Sequence, residues 1–123
     1  MTEKKIFELA IRLLEQTKRG ARHWEATVSS SVSEPAQPFL TSFPKYSVKI
    51  SQAWDGSGDS SHVVLRIYNE EGSEIEAASD DELDKMLGHA DRVHELFREL
   101  YQEARRSALN VEGALDDLLA SLS

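Results

Sequence analysis

The segment VVLRIYNEEGSEIEA, residues 63–77, limits the fold more than any other part of the chain. An alternating run reaches a turn that ends in glycine, and a shorter alternating run returns from it. Three-residue hairpin loops commonly close on a left-handed glycine after a type I turn. With Glu70, Glu71 and Gly72 in the loop, Asn69 faces Ser73, Tyr68 faces Glu74 and Ile67 faces Ile75. Arg66 then faces Glu76, and Leu65 faces Ala77. One face of the ribbon is apolar and the other carries a cross-strand pair of opposite charge, as a half-buried antiparallel sheet requires. The predicted hairpin core is Leu65, Ile67, Ile75 and Ala77, with a purely structural role.

A helix precedes this sheet. Ile6, Leu9, Ala10, Leu13, Leu14 and Thr17 recur at helical spacing over residues 3–18. Phe7 and Ile11 widen the apolar face, which suits a helix lying flat on a sheet. Lys18 and Arg19 complement the dipole at its end, and Gly20 stops it. A first strand is expected over residues 23–29, with Trp24, Ala26 and Val28 on one face. A serine-rich loop over residues 29–37 separates it from FLTSFPKYSVKISQA. In that run the apolar positions are Phe39 and Phe43 before Pro44, but Tyr46, Val48 and Ile50 after it. A change from odd to even parity cannot occur in one straight strand, so a bulge or bend is predicted at Pro44 and Lys45, giving one long strand broken in the middle or two short ones.

Helical periodicity returns after the hairpin. Ser79 followed by Glu82 is a capping-box signature, with Asp80 and Asp81 at the positive helix end. A short helix over residues 80–87 should stop near Gly88. A longer one over residues 90–108 has Val93, Leu96, Phe97, Leu100, Tyr101 and Ala104 as its stripe. Asn110 reads as the N-cap of a last helix, whose apolar residues are Val111, Ala114, Leu115, Leu118, Leu119 and Leu122. The predicted fold is α+β. It has an N-terminal helix, an antiparallel meander of four to five strands, and two to three C-terminal helices packed on one sheet face. The 123 residues make one domain, 1–123.

Charge and composition narrow the function classes. The net charge of −8 repels nucleic acid phosphates. A helix-turn-helix built on the last two helices would present Glu112, Asp116 and Asp117 to the backbone, so no nucleic acid partner is expected. No run is long and apolar enough for a signal-peptide core or a membrane span. The chain lacks cysteine, which excludes disulfides and cysteine-ligated zinc and fits a reducing compartment. A soluble, cytoplasmic protein with no membrane partner is therefore expected. The charge is also uneven. Six basic residues face three acidic ones in residues 1–22, whereas residues 70–84 hold eight acidic residues and no basic one.

The search for chemistry returns little. No G-x-S-x-G elbow or phosphate-cradling glycine loop occurs. Asp55, Ser57 and Asp59 have calcium-loop spacing, but Ser60 and Arg66 stand where that loop needs glycine and glutamate. Asp91 and His94 lie one helical turn apart, a spacing that can place a carboxylate and an imidazole on one metal. No second pair completes such a site, so neither a metal nor a cofactor is expected.

Three runs, FPKYSVKIS, VLRIYNEEGSEIE and ARRSALNVEGALDDLL, together resemble a group of short, uncharacterised bacterial proteins of similar length and element order. The likeness covers roughly residues 14–122. It implies a bacterial origin and carries no activity, so no catalytic residue is transferred from it.

Two functional expectations follow. The first is a non-enzymatic protein-interaction module that meets a basic protein through an acidic surface. Its candidate contacts are Glu70, Glu71, Glu74, Asp80 and Asp81, with Tyr68 beside them as an aromatic anchor. The second is a small-ligand pocket or enzyme centred on His94 and Asp91, with Glu95 and Arg98 nearby. The surplus of apolar surface on the last helices further predicts a homodimer, built on those helices or on the outer sheet face.

Overall fold

The computed structural model describes residues 2–27, 37–54, 61–88 and 92–123. Its elements follow the order helix α1 (Thr2–Lys18), strands β1 (Glu25–Ala26), β2 (Phe39–Ser42), β3 (Ser47–Trp54), β4 (Ser61–Tyr68) and β5 (Glu74–Ser79), then helices α2 (Asp80–Met86), α3 (Val93–Ala108) and α4 (Val111–Ser121). The five strands form one antiparallel sheet in sequence order, a plain meander, so the predicted α+β class holds. Among the described residues no helix is long and apolar enough to cross a membrane. The serine-rich loop, the calcium-like spacing, His89 and Asp91 fall outside the described residues, except for Gln37 at the loop's end.

Helix α1 ends as its glycine predicts. Gly20 takes φ +75, its N–H bonds the Thr17 carbonyl, and the Ala21 N–H reaches back to Gln16. Those two bonds are the Schellman pair, which satisfies carbonyls that the helix end leaves open. Beyond the turn, Trp24 is buried and its indole N–H donates to the Thr17 hydroxyl at 2.9 Å. That hydroxyl donates in turn to the Leu13 carbonyl, and the Trp24 N–H reaches the Ser107 hydroxyl on α3 at 3.0 Å. The polar groups of this buried corner are thus paired with each other. Among the described residues the first strand is two residues long, paired with Leu40 and Phe39 of β2, and Val28 and Ser29 of the expected strand lie outside them.

The parity change at Pro44 separates two strands, as the second of the two expectations has it, and its cause is a reversal and not a bulge. The chain reverses there: the Phe43 N–H bonds the Tyr46 carbonyl at 2.8 Å, and β2 folds back on β3. Phe39 pairs with Ile50 and Thr41 with Val48, so odd positions on one strand meet even positions on the next. A proline at the first central position of such a turn fits its fixed φ.

The 63–77 hairpin keeps its predicted loop and loses part of its predicted register. Gly72 takes φ +83, Asn69 and Ser73 are bonded across the loop, and the Asn69 side chain accepts the N–H groups of Glu71 and Ser73. Tyr68 pairs with Glu74 as expected. Next comes a β-bulge, and Ile67 lies opposite Glu76, Arg66 opposite Ala77 and Leu65 opposite Ala78. Ile75 is the extra residue. It is 53% exposed, and Ala78 takes the core position assigned to Ala77. Arg66 meets Glu74 at 3.0 Å instead of Glu76.

The core lies between the sheet and the helices. Phe39, Val48, Ile50, Val63, Leu65 and Ala78 of the sheet join Val93, Phe97, Leu100 and Ala104 of α3, with Ile6, Ala10 and Leu13 of α1 alongside. These are the helical stripes read from the sequence, with Leu96 and Tyr101 half-buried at the margin. Tyr101 packs on Phe39 with ring centroids 5.5 Å apart, and its hydroxyl donates to the Gln37 carbonyl.

Candidate functional site

The predicted acidic surface divides in two. Glu70 and Glu71 are exposed at the hairpin tip, and Glu74 and Glu76 are exposed along β5, the outermost strand of the sheet. Glu74 already pairs with Arg66, and the Tyr68 ring is half-buried beneath the Lys49 ammonium, 5.7 Å from its centroid. Asp81 is half-buried and faces Lys85 one turn along α2 at 3.3 Å.

Asp80 does not belong to that surface. It is 2% exposed, at the point where β5 passes into α2. The Ser79 hydroxyl caps the helix by accepting the Glu82 N–H, which turns the next side chain inward. One Asp80 oxygen accepts its neighbour's N–H from Asp81 at 2.8 Å and lies 3.7 Å from Nδ1 of His62 on β4. The other lies 3.2 Å from Nδ1 of His94, in the first turn of α3. The far nitrogen of His94, Nε2, faces Asp84 of α2 at 3.5 Å. One buried carboxylate therefore joins the strand, the start of α2 and the start of α3.

The chemistry open to this cluster is limited by its own contacts. A neutral imidazole has one N–H and can donate to one of two facing carboxylates, while the imidazolium donates to both. Both His94 nitrogens lie 3.2–3.5 Å from carboxylate oxygens, and the side chain keeps 39% of its surface exposed. Among the described residues, no three His, Asp or Glu side chains are grouped to hold a metal ion. The other residues expected around His94 do not converge on it. Glu95 is exposed and pairs with Arg92 at 3.6 Å, and Arg98 is exposed on α3. The carboxylates that do meet His94, Asp80 and Asp84, were read from the sequence as surface charges.

A groove of about 510 Å³ lies between the end of α1 and the α3–α4 turn, lined by Lys18, Arg22 and Arg106 together with Glu103 and Glu112. Two of its cations have protein partners. Lys18 donates to Glu99 at 2.7 Å, a contact that raises its pKa above the ordinary value. Arg22 donates to the Ser42 carbonyl and lies over the Phe43 ring at 4.1 Å.

Helix α4 is uncovered along most of its length. Asn110 holds the expected N-cap position in the left-handed region, φ 50, and its carbonyl accepts the Ala114 N–H, but its side chain makes no capping bond. Val111 and Gly113 are half-buried, and every residue from Ala114 onward is exposed. Leu115, Leu118, Leu119 and Leu122 are 48%, 60%, 66% and 85% exposed. Their spacing puts them on one side of the helix, with Asp116 and Asp117 on the other. No family model matches the sequence, and no curated protein or solved structure matches it either.

Proposed function

We propose that this chain is a non-enzymatic protein-interaction module. The observation that supports the reading is α4, a helix with a leucine stripe and no buried residue. Contiguous apolar surface on a folded chain usually marks a place where another protein sits. A second surface, the hairpin tip with Glu70 and Glu71 and the outer strand with Glu76, suits a basic protein partner. Neither surface contains an arrangement for bond making, and His94 is held between two carboxylates.

The test separates the surfaces. Tagged wild-type chain is compared with Leu118→Glu/Leu119→Glu and with Glu70→Lys/Glu71→Lys/Glu76→Lys in pull-downs at low and high salt. The substituted side chains are exposed, so all three proteins should fold. A protein lost from the lysine variant, and released from wild type by salt, supports the acidic surface. An association lost from the glutamate variant supports α4. If neither variant changes any association while a His94→Ala variant abolishes a measurable turnover, the enzymatic alternative replaces this reading.

A further inference from the structure

We infer that the corner between α3 and α4 is a two-state hinge. In its second form Asn110 turns right-handed and residues 93–122 run as one helix. The basis is a match of phase. The buried stripe of α3 is Val93, Phe97, Leu100 and Ala104. Eighteen residues further on, in the same order and spacing, stand Val111, Leu115, Leu118 and Leu122. At about 3.6 residues per turn that interval is about five whole turns, so on an unbroken helix all eight side chains share one face. Two helices that merely follow each other at a corner have no reason to keep a common phase. Here it is kept across a corner beyond which α4 has no buried residue.

Two residues hold the corner. Asn110 sits at φ 50, a region that asparagine tolerates better than most residues with a Cβ. Gly113 leaves room for it, since an added Cβ there would run into the Asn110 side-chain amide. Straightening exchanges little else. The bent form bonds the Leu109 N–H to Arg105 and the Asn110 N–H to Ser107, and leaves the first turn of α4 without a side-chain cap. In the continuous helix the N–H groups of Val111, Glu112 and Gly113 reach the carbonyls of Ser107, Ala108 and Leu109. Against those bonds the bent form sets the half-burial of Val111 and Gly113. So close a balance keeps the straight form as a minor population.

The two forms present different surfaces. In the bent form Asn110 and Glu112 help to line the groove beside the end of α1. In the straight form the groove loses Glu112, and the leucines continue the stripe that packs α3 against the sheet, on a helix about 45 Å long. The hinge therefore stands apart from what α4 binds. A ligand moves it only by the difference between its affinities for the two forms.

Distances between paired spin labels test the hinge, because the chain has no cysteine of its own. Gln102→Cys/Ala120→Cys places labels at two exposed positions, again eighteen residues apart and on one side of a continuous helix. Straight, the attachment points lie about 27 Å apart along the axis, and bent they lie closer. This labelled chain should show a main short distance and a minor one near about 27 Å. Adding Asn110→Ala/Gly113→Ala takes away the left-handed tolerance and favours the unbroken helix, so the ratio of straight to bent should rise about tenfold. Adding Asn110→Gly, which takes φ 50 freely, should lower it. All these positions lie outside the core, so the body of the chain stays folded in each variant. The inference is overturned if the double-alanine chain keeps the distances of the parent. A broad spread with no component near about 27 Å, the mark of a fraying α4, also overturns it.

Discussion

Leu100 and Leu118 are the same side chain on neighbouring helices, and truncating them to alanine should give opposite results. Leu100 is fully buried in the cluster formed by α1, α3 and the sheet, beside Phe97 and Ala104 on its own helix. Leu100→Ala removes packed methyl groups and leaves a cavity that a close-packed interior fills only partly, at a cost of about 2–5 kcal/mol. For a domain of this size each kcal/mol lowers the melting temperature by about 4 °C, so a fall of roughly 8–20 °C is expected. Leu118 is 60% exposed. Its replacement by alanine, a slightly better helix former, should change the stability of the dilute chain by less than about 0.5 kcal/mol. The measurement is a urea or thermal melt followed by tryptophan fluorescence, to which buried Trp24 contributes, at about 1 µM. A loss below about 1 kcal/mol for Leu100→Ala, or one of similar size for Leu118→Ala in dilute solution, would refute this division of core from surface.

Three further outcomes are expected. Gly72→Ala places a Cβ at φ +83 in open space, so the cost is backbone strain alone, about 1–2 kcal/mol in a denaturant melt; an unchanged midpoint would contradict the turn. Ser79→Ala removes the hydroxyl that accepts the Glu82 N–H and should cost about 1 kcal/mol, with Ser79→Asp restoring most of it. Burial raises the Tyr101 pKa above 10.0, and the nearby Arg105 charge offsets only part of that rise. The folded state therefore holds this proton more tightly than the unfolded state, and the associated stability is present below pH 10 and lost as pH rises through the folded value. The ultraviolet titration of wild type minus Tyr101→Phe should show a phenolate appearing above pH 10.0, and a midpoint at or below that value would count against it.

Much of the architecture is legible in the sequence because it is written in local terms. Helical stripes, the glycines at 20, 72 and 88 and the cap at Ser79 depend on neighbours within a turn or two, and each appears where its pattern puts it. The misreadings involve longer-range choices. The parity switch at Pro44 is equally consistent with a bend and with a reversal, and pairing with β3 decides between them. The bulge at Ile75 follows from docking Ala78 into the core and Ser79 at the helix start, which a hairpin considered alone does not contain. Asp80 reads as a first-turn surface acid, since only the folded chain brings His62 and His94 to it from residues distant in sequence. The apolar surplus on the last helix was visible from its composition, but its exposure depends on where α3 ends and turns at Asn110.

The bulge has a further effect on how this protein behaves when concentrated. A sheet of this kind has two open borders, and each is a template on which another chain can add a strand without limit. One border here is β1, two residues long. The other is β5, where the extra residue at Ile75 interrupts the regular spacing of N–H and C=O groups between exposed glutamates. Strand addition along β5 is thereby discouraged. Concentrating this chain should therefore give no fibre that grows by strand addition at β5.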